Sequence, residues 1–212
     1  MRLPRSVTEM LLAGAVLSGF ALAGSALVAY VHQQTRARIA ANESAATRRL
    51  LDDILPPGRH DNDMVRDTLQ VTAPEMLGSE APLTVYRARR NGKPVAAVLT
   101  VVAPDGYNGA IRLLVGIARG GELLGVRVLS EHETPGLGDR IEAGKSDWIR
   151  QFRGRSLGDP PQAQWRVRKD GGAFDQLTGA TITPRAIVKA VRGSLIYFRR
   201  HRTELFRKQD TD

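Results

Sequence analysis

The 212-residue chain contains no cysteine. Disulfides, cysteine-bound zinc, cysteine-ligated iron–sulfur clusters and thiol chemistry are all excluded by that absence. Histidine is scarce too, and His32, His60, His132 and His201 lie too far apart to show a metal-ligand spacing, so no metal site is expected. Aromatic residues make up 5%, and none interleaves with the basic runs in the way that base stacking requires. The net charge of +9 therefore does not point to nucleic acid. Much of the excess sits beside an apolar N-terminal run and in the segment RRHRTELFRK, where anionic lipid headgroups are the simpler partner. No internal repeat or low-complexity tract is present. Hydrophobic residues at 42% and charged residues at 25% still require a water-soluble folded part.

The apolar run is MLLAGAVLSGFALAGSALVAYV, residues 10–31, uncharged throughout. About 20 such residues cross a ~30 Å hydrocarbon core as a helix. Ala21-Leu22-Ala23 would suit the cleavage site of a secretory leader, but the run continues well past it, so a retained anchor is expected. Arg2 and Arg5 precede the span and Arg36 and Arg38 follow it, which nearly balances the positive-inside count. A short leading tail, residues 1–9, against a long cysteine-free remainder favours a cytoplasmic N-terminus. The expectation from the residues is a single-pass membrane protein with an extracytoplasmic C-terminal domain.

Residues 32–80 read as a helical linker and loop. Ile39, Glu43, Ala46, Leu50 and Ile54 recur at helical spacing before Pro56-Pro57, and GRHDNDMVRD follows as loop. Residues 81–200 read as the folded domain, with 201–212 a basic tail. LTVYRARR, Asn91-Gly92 and KPVAAVLTVV form a hairpin pattern, since Asn-Gly accepts the positive φ angles of tight turns. GAIRLLVGIA and ELLGVRVLS, parted by Arg119-Gly120-Gly121, form a second pair. KSDWIRQF predicts a short helix with Ser146 as cap. PRAIVKAVRGSLIYF predicts a longer one, with Pro184 at its first position, Thr183 as N-cap, and Ile187, Val191, Leu195 and Phe198 facing a core. The fold class is α+β: a mostly antiparallel sheet with packed helices, preceded by one transmembrane helix.

Thr178, Thr181 and Thr183 crowd the entrance to that last helix. One reading is capping alone. The other uses the same geometry: a helix N-terminus carries free N–H donors and about half a positive charge, so a phosphate on or near Thr183 would be stabilised there. Gly179 and Ala180 would admit a bulky group, and Arg185 and Lys189 lie close in sequence. A second candidate segment, Glu131-His132-Glu133-Thr134-Pro135-Gly136-Leu137-Gly138, follows a strand and turns at Pro135-Gly136. His132 is read as an ordinary surface histidine, and Trp148 and Trp165 as core residues in preference to ring-stacking partners.

The run Asp175-Gln176-Leu177-Thr178-Gly179-Ala180-Thr181-Ile182-Thr183 resembles the D-x-x-[ST]-G-A-[TS]-x-[TS] signature of FMN-binding domains in Rnf-type and Nqr-type redox complexes. The anchor, GVRVLSEHETPGLGDRIEAGKSDWIRQF and the overall length are also similar to the G-type component of Rnf complexes. The resemblance implies FMN joined by a phosphoester to Thr183, with Thr178, Gly179, Ala180, Thr181, Glu133, Thr134 and Leu137 near the cofactor. It also implies that the membrane is the bacterial inner membrane and that the C-terminal domain lies in the periplasm. The family's H-x-E-T-P-G-L-G element departs here at its first position, where Glu131 stands and the histidine moves to 132. Asp175, Thr178, Gly179, Ala180, Thr181 and Thr183 would be read by a separate flavin transferase that uses FAD and magnesium; Asp175 has a turn-stabilising role as its alternative. The implied role is an electron-carrier subunit with no catalytic residue of its own, working with the integral membrane Rnf subunits to couple ferredoxin and NAD redox chemistry to ion movement. The alternatives are the corresponding subunit of a sodium-translocating NADH:quinone oxidoreductase and a non-redox anchored scaffold.

Overall fold

The computed structural model describes residues 5–207, so Arg2 and residues 208–212 of the basic tail lie outside it. The chain divides into two compact units, Met1–Ala46 and Thr47–Asp212. The first is helical. Helix α1 runs over Arg5–Ile54, and its stretch Glu9–Arg36, with a mean hydropathy of 2.0, is long and apolar enough to cross a membrane. Its large apolar side chains, among them Leu17, Phe20 and Val28, are exposed, as a lipid-facing helix requires.

The second unit is built on a five-stranded antiparallel sheet in sequential order: β1 (Thr68–Val71), β2 (Leu83–Arg90), β3 (Lys93–Ala103), β4 (Ile111–Ala118) and β5 (Leu123–Ser130). The α+β expectation holds. Asn91 and Gly92 both take positive φ, 51° and 71°, as a two-residue hairpin turn between β2 and β3 requires. Strand β1 and the single-turn helix α2 (Pro74–Leu77) lie inside the stretch expected to be linker and loop, so the folded unit starts well before residue 81. TLQV is a short, half-exposed edge strand, and its four residues carry too little alternation to announce it. At the other end, helix α3 (Ile182–Leu205) continues past residue 200 into the expected tail.

The pleat sorts side chains between two cores. On one face Leu99, Val101, Leu113, Val115 and Ile117 pack with Ile187, Val191, Leu195 and Phe198 of α3, the four residues that periodicity placed inward. Leu51, Ile54 and Leu55 cover the opposite face with Met64, against Val98 and Leu114. Burial on both faces explains why β4 reads as a nearly continuous apolar run. Of the predicted linker stripe, Ile39 and Ala46 are exposed; the part of α1 that packs on the sheet begins at Leu50 and Leu51. Gly116 makes room for Ile54, whose Cγ2 would stand 2.1 Å from any Cβ there.

Trp148 and Trp165 are core residues, 8% and 1% exposed. They pack with Phe152 and Phe174, and Trp165 and Phe174 have ring centroids 4.7 Å apart. The predicted helix in KSDWIRQF is a single 3-10 segment, Trp148–Phe152; Asp147 occupies the cap position, while Ser146 Oγ accepts the Trp148 N–H at 3.2 Å. Asp67 ties β1 to β2 by accepting from Arg87 Nε at 2.6 Å and Arg89 Nε at 2.8 Å.

Candidate functional site

Three loops meet at the N-terminus of α3. The first is a turn in which Thr134 C=O accepts the Leu137 N–H at 3.1 Å, with Pro135-Gly136 at the corner and Gly136 at φ 78°. The second is a turn from Leu177 to Ala180, closed by the Ala180 N–H on Leu177 C=O at 3.2 Å, with Gly179 at φ 83°. A Cβ on Gly179 would stand 2.9 Å from Leu137 Cδ2, so a glycine is needed both for the turn and for the contact between the turns. The third is the β3–β4 connection, which brings in Tyr107 and Asn108.

Thr183 is not the N-cap. Helix α3 starts at Ile182, the cap position falls on Thr181, and Thr183 is the second helical residue. The helix begins early because Thr181 already has near-helical angles, φ −95° and ψ −31°. Pro184 is then third, still within the first turn, where its missing N–H forfeits no helical bond. With its backbone in the helix, Thr183 directs its hydroxyl across the loops and donates to Glu133 Oε2. Glu133 Oε1 accepts the Asn108 N–H at 3.0 Å. Both partners are enclosed, Thr183 at 1% and Glu133 at 4% exposure. Gly138 makes the approach possible: a Cβ there would lie 2.9 Å from Glu133 Oε2 and 3.2 Å from Thr183 Oγ1.

Around this pair lies a pocket of ≈ 390 Å³ whose walls include Tyr107, Glu133, Thr134, Leu137, Gly138 and residues 179–183. That volume is within the ~300–1,000 Å³ of small-molecule sites. Glu133, Thr134, Leu137, Gly179, Ala180, Thr181 and Thr183 are thus brought together as expected from sequence. Thr178 and Asp175 are not in the wall. Thr178 is exposed on the turn, and Asp175 is exposed and paired with Arg168 Nε at 2.9 Å. Its backbone is fixed from both sides, by Gln151 Oε1 and by the Trp148 indole N–H, each at 2.7 Å. Arg185 and Lys189 turn to Asp170 and Asp105 at 2.5 and 2.6 Å and line no part of the pocket. His132 is exposed.

Tyr107 and Asn108 belong to the site without having been singled out, and Gly138 and Ile182, quoted within the two motifs, join it without having been given a role. The only cue to the first two was turn composition in Pro104-Asp105-Gly106-Tyr107-Asn108-Gly109. Tyr107, Leu137 and Ile182 are 63%, 42% and 46% exposed, an apolar rim at the mouth. Among the described residues no Lys or Arg lines the pocket, and positive potential comes from the start of α3. Thr181 makes no side-chain cap bond, and the first-turn N–H groups of Ile182 and Thr183 have no intrahelical acceptor. Two residues before Glu133, Glu131 accepts the Glu133 N–H through its carboxylate. Burial, and then the neighbouring Glu142, hold the Glu131 carboxyl above its usual range, against that backbone bond. An anionic group at the helix start, a planar apolar body at the rim and close backbone approach along Gly179-Ala180 all suit a flavin mononucleotide.

Comparison with known proteins agrees with this. Residues 106–195 match the FMN-binding domain family, and residues 1–54 match the RnfG N-terminal region. The chain is 51% identical over 201 residues to the G component of the ion-translocating oxidoreductase complex of Pseudomonas aeruginosa, covering 94% of each chain. It is 47% identical over 193 residues to the corresponding protein of Shewanella baltica, covering 91% of each. The similarity therefore spans the apolar helix, the sheet and the pocket together, and the chain belongs to the RnfG family, the G components of ion-translocating oxidoreductase complexes.

Proposed function

We propose that the chain holds FMN in the α3 pocket, joined through its phosphate to Thr183 Oγ1, and relays electrons within an Rnf-type ion-translocating oxidoreductase complex. One observation carries the reading: Thr183, the residue that ends the 175–183 motif, lines a pocket of cofactor size at a helix N-terminus without a side-chain cap. The first turn of α3 would receive the phosphate. Tyr107, Leu137 and Ile182 would flank the ring, with Thr134 and Glu133 as polar contacts. The bound flavin supplies one-electron chemistry, and the surrounding residues supply orientation and exclusion of water. Neither a substrate subsite nor independent turnover is required.

The exposed Asp175 and Thr178, on a turn stiffened by Gln151 and Trp148, suit recognition by a flavin transferase, together with Gly179, Ala180, Thr181 and Thr183. The relatives' names support the other subunits of the complex as partners. The apolar helix supports anchoring in a membrane. That membrane would be the inner one, with residues 1–9 cytoplasmic and the sheet domain periplasmic, because long domains translocate with little regard to charge. Ferredoxin and NAD at the two ends of the electron path, coupled to ion movement, complete the proposal. The test is the intact mass of the denatured chain after coexpression with a flavin transferase. An FMN adduct is expected, and a chain of encoded mass alone would reject the covalent reading. A C-terminal reporter active only in the cytoplasm would reverse the orientation.

A further inference from the structure

We infer that Glu133 is the proton acceptor for attachment: the chain carries the base that activates its own modified hydroxyl. The inference rests on the phosphoester to Thr183 proposed above. A threonine hydroxyl is a weak nucleophile unless a base or metal takes its proton. Here the base is already in contact. Thr183 Oγ1 donates to Glu133 Oε2, and Asn108 N–H holds Oε1 at 3.0 Å, so the carboxylate is aimed at the attacking oxygen. Gly138 is bare at the point where a methyl group would separate the two. Both Thr183 and Glu133 line the pocket, so the pair stands at the wall of the cavity that would receive the phosphate.

In the step itself, Thr183 Oγ1 bonds to the flavin-side phosphorus of FAD while its proton passes to Glu133 Oε2. The bridging P–O bond of the pyrophosphate breaks, and AMP leaves with the electron pair. Nothing is oxidised or reduced. Glu133 leaves the step carrying the proton that Thr183 has lost.

The experiment follows the rate at which the purified full chain in detergent gains flavin mass, with purified flavin transferase, FAD and Mg²⁺. Glu133→Gln keeps the shape and removes the base; it should slow attachment by about 10²-fold or more, the usual contribution of a positioned base. Gly138→Ala should also slow it, because both groups remain but are pushed apart; this variant decides the matter if the Gln variant fails to fold. Sodium formate should restore rate to Glu133→Ala by standing in for the missing carboxylate. Wild-type rates in Glu133→Gln and Gly138→Ala would overturn the role of Glu133 and leave the attachment intact. A folded, slow Ala variant that formate does not accelerate would reduce Glu133 to a positioning residue and likewise overturn it. If the wild-type chain gains no flavin mass, the attachment itself falls.

Discussion

Thr183→Val separates what the hydroxyl does for the fold from what it does for the cofactor. Valine nearly matches threonine in shape, so no cavity opens and the first turn of α3 keeps its backbone. What is lost is the hydrogen bond to Glu133 Oε2, in a place where Glu133 is 4% exposed and water cannot easily replace the donor. Glu133 Oε1 retains the Asn108 N–H, so the carboxylate is half-satisfied and not stranded. A hydrogen bond to a charged acceptor contributes about 1.5–3 kcal/mol. For a unit of this size each kcal/mol moves the melting temperature by roughly 2–4 °C, so the unflavinylated Val variant should melt about 3–12 °C below wild type. Thermal unfolding by circular dichroism, on protein made without the transferase, measures this. With the transferase present, the Val variant should gain no flavin mass and show no fluorescent band on a denaturing gel, while Thr183→Ser retains both bond and adduct. A Val variant that melts with the wild type would refute the buried pairing, and one that still gains FMN would refute the attachment site. Thr181→Val, whose side chain makes no cap bond, should leave the adduct in place.

Glu131→Gln should stabilise the domain at neutral pH. The folded state holds the Glu131 proton more tightly than the unfolded chain does, so folding stability is lost as pH rises above the ordinary value of 4.5; the melting difference between variant and wild type should vanish below that value and grow above it, and a difference independent of pH would reject the cause. Gly116→Ala drives a methyl group into Ile54 and should cost about 1–3 kcal/mol in urea unfolding. Combined with Ile54→Ala, it should cost less than the sum of the two single changes, and strict additivity would show that the close approach is relieved elsewhere. Asp67→Ala leaves Arg87 and Arg89, with side chains 7% and 12% exposed, without their shared carboxylate, and about 3–5 kcal/mol of stability should be lost. A urea midpoint close to wild type would mean that solvent reaches both guanidinium groups.

How far the fold could be read in advance depended on how local its cause is. Asn91-Gly92 specifies a turn by itself, and Ile187, Val191, Leu195 and Phe198 specify a helix face by their spacing alone, so both were legible. Strand β1 was not, because Thr68–Val71 is made into a strand by pairing Leu69 with Val85, a partner 16 positions away, and not by its own pattern. The assignment of Thr183 as N-cap failed for a related reason. Thr-Pro is a good helix start in isolation, but the turn through Gly179 delivers the chain to Thr181 already in helical geometry. The Thr183–Glu133 pair spans 50 residues, and no periodicity encodes it.

That pair also explains why glycine recurs at the site. Gly138 and Gly179 lie on different loops, yet each is bare on the side where the other loop arrives, at Thr183 Oγ1 in one case and Leu137 Cδ2 in the other. A side chain at either would hold the 131–138 loop away from α3 and leave Glu133 and Thr183 apart. Buried polar groups that have lost their partners are costly. The loops are therefore held together by the same carboxylate–hydroxyl bond that the proposed attachment would use. Under the proposed attachment the flavin phosphate would take the place of that hydroxyl proton, so maturation and the closing of the two loops would draw on one contact.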